Sequence, residues 1–343
     1  MGVPESSSTT PTVHVGIVTY NSRTDLPACF AGLAAQTYPA LTITVLDNAS
    51  SDGSAAWVEA HAPGARLIVS AENTGFAGGH NRILAACAPR PGDFYLTLNP
   101  DVVMAPGYIA ALVAVCTETG AGWATGKLLL PSDADPPRLY SAGHAMRRDG
   151  YAFNIGYGLP DGGRFDSPHE VFGAPGAAAL ISRSLADSIA PDGVLFDPDL
   201  FLYGEDTDLD WRARRQGWRC WYTPAAVATH RGSRTGETMR RLALANRYLS
   251  VIKNAALLDL LIYNLPLIVL HVMARLILTP RHGAALAARL ARLGPVMWRR
   301  RTRPTYPRAA LLSWFRRSLT EPTGQPITWR ARMADARRRW RAR

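Results

Sequence analysis

The sequence lacks the residue patterns of several common binding sites. Its cysteines form no CxxC pair and have no partnering histidines; they are Cys29, Cys87, Cys116 and Cys220. Neither a zinc site nor a disulfide framework is therefore indicated, and a reducing compartment is expected. The Walker motif and the GxGxxG fingerprint are also absent, which disfavours the P-loop and dinucleotide-binding modes.

The N-terminal segment lacks the parts of a secretory signal. Residues 1 to 11 are polar, with no basic stretch followed by an apolar one. We therefore expect residues 1–12 to be a disordered lead and the protein to work on the cytosolic side.

Acidic residues are scarce in the C-terminal part. From Arg281 to Arg343 there are 17 arginines against Glu321 and Asp335. Of the formal net charge of +11, this stretch supplies +15 and the first 280 residues supply −4. A chain of 343 residues with 47% hydrophobic content can bury a full core, so the basic stretch is an addition to a globular protein.

Short apolar runs alternate with helical patterns along the first 120 residues. The runs predict strands at Val13 to Thr19, Leu41 to Leu46, Arg66 to Val69 and Phe94 to Leu98. Between and after them, apolar spacings of three and four predict helices from Leu26, at Gly78 to Ala88 and at about Pro106 to Thr117. This alternation predicts an α/β fold with a parallel sheet.

The remainder of the globular part is less regular. Residues 131 to 170 are rich in Gly, Pro and Asp and predict loops and short hairpins, as in a lid or an acceptor-shaping insertion. Two more helices are predicted, at Glu205 to Gln216 and Glu237 to Ala256. The globular domain is accordingly expected to span residues 13–256.

Four polar loops follow the four predicted strands. They are Thr19-Tyr20-Asn21, Asp47 to Gly53, Asn73 to Asn81, and Asn99-Pro100-Asp101. In a parallel sheet such loops converge on one edge, where a nucleotide would bind.

Four carboxylates stand beside aromatic residues between Phe201 and Trp211; they are Glu205, Asp206, Asp208 and Asp210. Unpaired buried carboxylates are costly, so the cluster predicts a positive or proton-bearing partner. Asp208 and Asp210 precede Arg212 and Arg214 by four residues, which favours ion pairs within the helix. Together with the Asp101 loop, the cluster suggests a metal site and a general base.

The ordered set of motifs resembles the family 2 glycosyltransferases of the GT-A fold, and within them the rhamnosyltransferase-like branch. The motifs are Val18-Thr19-Tyr20-Asn21, Asp47-Asn48-x-Ser50-x-Asp52-Gly53, Asn73-x-Gly75-Phe76-x-Gly78-Gly79-x-Asn81, Leu98-Asn99-Pro100-Asp101, Gly176-Ala177-Ala178, Glu205-Asp206 and His230. The resemblance implies a mostly parallel central sheet flanked by helices, followed by a basic helical extension.

The resemblance also implies a donor-nucleotide pocket. Asp47 would accept hydrogen bonds from the base or ribose, Thr19 and Asn81 would line the same pocket, and Gly78 with Gly79 would let backbone approach the nucleotide. The full implied set is Thr19, Tyr20, Asn21, Asp47, Asn48, Asn73, Gly78, Gly79, Asn81 and Asn99.

A divalent cation is implied as the cofactor. Asp101 would bind Mg²⁺ or Mn²⁺ that bridges the donor diphosphate, and His230 is the candidate for a further ligand. Asn99 stands where this fold commonly has another carboxylate, so the ion would depend more on phosphate oxygens and water.

Asp206 is the implied general base, which removes the proton of an acceptor hydroxyl in a single, inverting displacement. Glu205 is the second candidate for the base, or would orient the acceptor.

The apolar stretch from Leu260 to Ala274 contains no charged residue. Its 15 residues fall short of the roughly 20 that span a bilayer, and Pro266 interrupts it. We expect residues 257–343 to form a helical extension that lies in a membrane interface; a second core or a single span are the alternatives. The Trp and Arg clusters at 298–301, 314–317 and 329–343 suit an anionic cytoplasmic surface, and no specific nucleic acid partner is expected.

These observations predict an inverting, metal-dependent glycosyltransferase, peripheral at the inner face of the cell membrane. It would move rhamnose from dTDP-rhamnose to a cell-surface glycan or lipid-linked acceptor. A UDP-sugar donor carrying galactofuranose or an N-acetylhexosamine is the nearest alternative. Nucleotidyl transfer is disfavoured because no basic glycine-rich loop follows the first strand, and a non-catalytic membrane-bound binder of glycan or nucleic acid is the alternative of another class.

Overall fold

The computed structural model describes residues 10–232 and 236–317. Within these residues the strands are β1 Val13–Thr19, β2 Leu41–Asp47, β3 Arg66–Val69, β4 Phe94–Leu98, β5 Val102–Met104, β6 Trp123–Leu129, β7 Leu139–Ser141, β8 His144–Met146, β9 Ala152–Asn154, β10 His169–Val171, β11 Ala178–Ser182 and β12 Cys220–His230.

The helices are α1 Leu26–Ala34, α2 Ser54–His61, α3 Gly75–Cys87, α4 Tyr108–Thr119, α5 Arg183–Ile189, α6 Glu205–Arg215, α7 Glu237–Asn254, α8 Leu257–Asp259, α9 Leu265–Leu278, α10 Pro280–Arg299 and α11 Arg308–Arg317. A 3₁₀ turn forms at Pro198–Leu200, and a π-helical turn, Leu260–Asn264, joins α8 to α9.

One mixed sheet forms the centre of the molecule, in the order β10-β12-β6-β11-β4-β1-β2-β3. Strands β4, β1, β2 and β3 run parallel, as the strand and helix alternation predicts, and β6 is parallel to β12. Strand β11 lies antiparallel between β4 and β6. The sheet is therefore mostly parallel, with six of its ten strands running in one direction. Strand β11, which follows the irregular insertion, is reversed within the sheet, and β5, β7 and β10 also run antiparallel to their neighbours.

The two faces of the sheet carry separate apolar clusters because successive strand residues point to opposite faces. On one face Val13, Val15 and Ile17 of β1 pack with α1 and α4. On the other face Leu46 and Tyr95 pack with Ile83 of α3. The predicted strands β1, β3 and β4 have the observed ends, while α3 begins three residues earlier than predicted.

The insertion at residues 131–170 consists of loops and short strands, as its composition predicts. Strands β8 and β9 pair as a hairpin, and β7 joins the edge of β6. Lys127 of β6 holds the far end of the insertion through ion pairs with Asp161 at 2.9 Å and Asp166 at 2.7 Å.

The described part of the C-terminal extension, residues 257–317, packs on the globular domain. Trp211 of α6 and Val251 of α7 share an apolar cluster with Ile268 of α9, Leu286 of α10 and Phe315 of α11. The basic cluster at 329–343 lies outside the described residues. The division at residue 256 remains a prediction.

Pro266 does not interrupt the apolar stretch. A proline ring clashes with the carbonyl four residues earlier in a regular α-helix, but here the π-helical turn precedes it and Pro266 falls in the first turn of α9. Leu257–Leu278 thus forms one helix of 22 residues, which by length and composition is long enough to cross a membrane.

A buried ionic cluster joins α6 to the helices that follow it. Lys253 of α7 contacts Asp208 of α6 at 2.9 Å and Asp197, before the 3₁₀ turn, at 2.7 Å. Arg212 and Asn254 also bind Asp208, at 2.9 and 2.7 Å. Burial raises the pKa of Asp208, but Lys253 and Arg212 outweigh it and lower the pKa to about 2.

Replacing Lys253 with methionine should destabilise the fold strongly. The variant keeps most of the side-chain volume but leaves two buried carboxylates without their shared cation, which costs about 3–5 kcal/mol for a typical buried pair. Urea unfolding measures the loss. The control is Asp187→Asn, which breaks an exposed pair with Arg183 on α5 and should cost less than about 1 kcal/mol. Equal losses in the two variants would contradict the assignment.

Candidate active site

A cleft of about 1260 Å³ opens where β1, β2 and β4 end. Most of the predicted site residues line it: Tyr20, Asn48, Asn73, Asn99, Asp101, Glu205, Asp206 and His230. The insertion lines the cleft with aromatic side chains instead of carboxylates and amides; they are Tyr140, Phe153 and Tyr157. Helix α7 adds Met239.

Asparagine amides hold the loops of the cleft in place. Asn48 accepts a hydrogen bond from the backbone N–H of Thr74 at 2.8 Å and donates to the carbonyl of Gly75 at 3.0 Å. Asn21 accepts from the backbone N–H of Ser51 at 2.8 Å, and Asn73 accepts from that of Gly75. These predicted donor-binding residues therefore set the shape of the loops.

Thr19 and Asp47 are paired in register at the ends of β1 and β2. Asp47 Oδ2 accepts a hydrogen bond from the backbone N–H of Ser50 at 3.0 Å. Asp47 Oδ1 and Thr19 Oγ1 are buried and find no hydrogen-bond partner among the described residues. Neither residue is among those that line the cleft, so their contact with a nucleotide remains a prediction, which the two unpartnered oxygens favour because such buried atoms cost free energy.

Gly78, Gly79 and Asn81 do not line the cleft. A Cβ on Gly78 would lie 2.7 Å from Thr74 Cβ, and one on Gly79 would lie 2.7 Å from Val18 Cγ2. The amide of Asn81 exchanges two hydrogen bonds with the backbone of Phe196, at 2.7 and 2.9 Å. Close packing around α3 therefore explains why residues 78 and 79 are glycines, and the Asn81 amide is already hydrogen-bonded to backbone. Contact of these three residues with a nucleotide remains a prediction.

Asp101 and His230 meet at the cleft although 129 positions separate them in the sequence. Strand β12 pairs with β5, which places His230 Nε2 3.2 Å from Asp101 Oδ1. The edge of the His230 ring packs on Tyr140 at a centroid distance of 4.2 Å, and His230 Nδ1 is buried without a partner among the described residues.

The pair fits a cation that is shared with a bound ligand. Within residues 10–232 and 236–317, no group of three His, Cys, Asp or Glu side chains is arranged to hold a metal alone. Mg²⁺ is commonly bound by one or two protein carboxylates and completed by phosphate oxygens and water. Asp101 and His230 can supply that smaller protein share.

Asp206 presents its carboxylate to the cleft from the first turn of α6. Its Oδ1 accepts from the backbone N–H of Thr207 at 2.7 Å, and its Oδ2 accepts from that of Gly176 at 3.2 Å. These two N–H donors hold the carboxylate in one orientation. About a quarter of its side chain, 23%, is exposed, so a ligand can reach it.

Glu205 is in a different electrostatic state from its neighbour. Its side chain is buried, and Oε2 finds no hydrogen-bond partner among the described residues. Burial, and then the charge of Asp206, raise the pKa of Glu205 well above its ordinary value. The structure therefore favours a protonated Glu205.

Two residues of the site were missed by the sequence reasoning, His144 and Asp210. His144 Nδ1 lies 2.8 Å from Asp210 Oδ2, and its Nε2 lies 4.0 Å from Asp206 Oδ2. The expected pair between Asp210 and Arg214 is wrong because Asp210 binds His144, while Arg214 binds Glu170 at 2.5 Å. The pair of Asp208 with Arg212 is confirmed.

Comparison with known proteins gives the family. Residues 14–189, just over half of the chain, match the model of the glycosyl transferase family 2. The chain is 28% identical over 245 residues to the N-acetylglucosaminyl-diphospho-decaprenol L-rhamnosyltransferase of two Mycobacterium tuberculosis strains. That alignment covers 66% of this chain and 78% of the relative.

Two solved structures share the fold. GalNAc-T7 with UDP, GalNAc and Mn²⁺ has a TM-score of 0.53 at 16% identity, over 72% of this chain but only 48% of that one. The mannosyltransferase PcManGT from Pyrobaculum calidifontis, with GDP-Man and Mn²⁺, has a TM-score of 0.51 at 21% identity, over 89% of this chain and 79% of that one. The chain belongs to the glycosyl transferase family 2 and is a glycosyltransferase of the GT-A fold.

Proposed function

We propose that the protein is an inverting rhamnosyltransferase that uses dTDP-rhamnose and a lipid-linked or cell-surface glycan acceptor. The observation that carries the reaction type is the exposed, hydrogen-bonded carboxylate of Asp206 in the same cleft as Asp101 and His230. The sequence relative supports rhamnose and a diphospho-lipid acceptor. A UDP-sugar donor remains the second candidate, since GalNAc-T7 shares the fold.

The reaction is a single displacement. The acceptor hydroxyl oxygen attacks the anomeric carbon, and its proton passes to the Asp206 carboxylate. The bond from that carbon to the diphosphate oxygen breaks, and its electron pair leaves with the diphosphate. Attack from the opposite face inverts the anomeric centre. Gly176 and Thr207 hold the carboxylate by their N–H groups, so it is oriented before the acceptor binds.

Asp101 and His230 would hold Mg²⁺ or Mn²⁺ together with the donor diphosphate. The bound ion would neutralise the charge that develops on the leaving diphosphate. Arg231, the next residue after His230, also lines the cleft, where it forms an ion pair with Asp25. The two solved structures that contain Mn²⁺ support a divalent cation.

The exposed apolar stripe of residues 257–278 is proposed to lie in the cytoplasmic face of a membrane. Eight of its eleven exposed large apolar side chains follow one side of the helix: Leu258, Leu261, Ile262, Leu265, Val269, Leu270, Met273 and Ile277. Leu257, Leu267 and Leu278 are exposed outside this series. Exposed apolar surfaces of this size mark sites of interaction, and Trp298 of α10 is also exposed.

The opposite face of this helix favours an interfacial position over a span. Asp259 is buried in ion pairs with Arg148 at 2.5 Å and with Arg308. Asn264 is buried, and Arg275 donates to His271 at 3.0 Å. Polar groups held against the protein would have to enter the hydrocarbon if the helix crossed the bilayer, which is costly.

Replacing Asp206 with asparagine should lower turnover by about 10²–10⁴-fold, because the variant cannot take up the acceptor proton. Release of nucleoside diphosphate from a panel of dTDP- and UDP-sugars, with Mg²⁺ and a lipid-extract acceptor, measures this, and donor binding should persist. Asp187→Asn is the control on α5. An Asp206→Asn enzyme as active as the wild type would exclude this base. If the wild type releases nothing from any donor but binds membranes or nucleic acid, the non-catalytic binder is favoured.

Replacing Glu205 with glutamine should make the free energy of unfolding less dependent on pH. The raised pKa means that the folded protein keeps a proton that the unfolded chain loses above about pH 4.3, so wild-type stability falls as pH rises through this window. The variant lacks this pH-dependent loss, so its melting temperature relative to that of the wild type should rise between about pH 4.3 and 7. Glu59→Gln, on the exposed side of α2, is the control. If the melting temperatures of the variant and the wild type change in parallel with pH, Glu205 ionises normally. Retained turnover in Glu205→Gln would support Asp206 as the base.

Replacing Leu261, Ile262 and Leu270 with serine should weaken vesicle binding at least about tenfold, since each buried side chain contributes about 1.5–3 kcal/mol. Co-flotation with vesicles of phosphatidylcholine, with and without phosphatidylglycerol, measures the binding. Val69→Ser removes an equally exposed apolar residue from the edge strand β3 and should have no effect. Unchanged flotation of the triple variant would rule out this stripe as the membrane contact.

A further inference from the structure

We propose that His144, held in place by Asp210, is a positioning residue that places its imidazole beside Asp206 and orients that carboxylate for proton removal. The inference rests on the proposed function of Asp206 as the general base. It concerns a histidine in the irregular insertion that no sequence motif singled out.

The hydrogen bonds around Asp210 fix the imidazole. Asp210 Oδ1 accepts from Trp123 Nε1 at 3.0 Å and from the backbone N–H of Ala174 at 3.1 Å. Burial raises the pKa of Asp210, while His144 and the Ala174 N–H oppose that rise; because an indole N–H and a backbone N–H can only donate, Oδ1 acts as an acceptor. His144 Nδ1 then donates to Oδ2 at 2.8 Å, and Nε2 is left facing Asp206.

Gly173 shows that the protein provides space for this arrangement. A Cβ on Gly173 would lie 1.9 Å from Asp210 Cγ, closer than any two unbonded atoms can approach. The carbonyl of the same residue accepts the backbone N–H of His144 at 2.8 Å. One glycine therefore admits the Asp210 side chain and positions the backbone of His144.

The charges around the imidazole favour its protonated form. Helix α6 presents Asp206 and Asp210 to it, strand β9 presents the neutral Asn154, and Glu205 beside Asp206 is held protonated. Burial alone would lower the pKa of His144, but the hydrogen bond to Asp210 and the charges of Asp206 and Asp210 raise it. An imidazolium 4.0 Å from Asp206 places a positive charge beside that carboxylate as the anionic donor enters.

Asp206 remains the group that takes the proton. Both residues line the cleft, but the Asp206 side chain is 23% exposed and that of His144 is 7% exposed. Asp206 is therefore the more accessible to an acceptor hydroxyl, and His144 acts through Asp206.

The first test compares pH profiles of turnover. His144→Gln keeps an amide that can donate to Asp210 but removes the cation, so the acid limb of kcat should move to higher pH by at least about one unit. The loss of activity should be greater at low pH than at pH 8.5, where the rate should approach that of the wild type, and the donor KM should be unchanged. His61→Gln, at the exposed end of α2, is the control. A loss that is equal at every pH would show a structural role only and overturn the proposal.

The second test does not depend on turnover. In protein labelled with ¹⁵N-histidine, NMR titration should show that the pKa of His144 falls in Asp206→Asn and in Asp210→Asn, whose side chains keep their size but lose their charge. A His144 titration that is unchanged by Asp206→Asn would overturn the proposal even if no donor has been found. Absence of turnover in the wild type, with the NMR coupling present, would contradict the proposed function and leave the contact between the two residues established.

Discussion

The position of helix α6 depends on the buried ion pairs of Asp208. This carboxylate is enclosed by Lys253, Arg212 and Asn254, and its partners come from α6 itself and from α7. Because an unpaired buried charge is costly, α6 keeps these ion pairs in only one rotation about its axis and one position along it relative to α7. The first turn of α6, which carries Glu205 and Asp206, is thereby placed at the rim of the cleft. Helix α7 is thus part of the support of the active site.

Three aspartates spaced two residues apart, Asp206, Asp208 and Asp210, face two sides of this one helix. Each step of two residues turns about 200° around the axis, so Asp206 and Asp208 point to nearly opposite sides, while Asp206 and Asp210 are about 40° apart. Asp208 therefore faces the buried cations, and the other two share the face that meets His144. The spacing of the acids explains why the histidine contacts both carboxylates and why the lysine contacts neither.

The sequence predicts the structure correctly where an element depends on a local pattern of apolar residues. Strands β1, β3 and β4 and the loops at their ends were predicted from apolar periodicity, and the motif order brought Asp101, His230 and Asp206 into one site. The contact of His144 with Asp210 was not predictable, because it joins residues 66 positions apart through an irregular insertion. Helical spacing suggested Arg214 as the partner of Asp210 instead. Local spacing also misjudged Pro266, since the π-helical turn that accommodates it depends on packing against α7 and α10.

The two lysines of the chain, Lys127 and Lys253, are both buried in ion pairs. All other basic side chains apart from histidine are arginines, whose guanidinium groups stay protonated throughout the physiological range. The positive charge on the described surface is therefore permanent: it neither titrates near neutral pH nor can be removed by acetylation of an amine. Attraction to an anionic surface would respond to salt but not to cellular acidification or lysine-modifying enzymes.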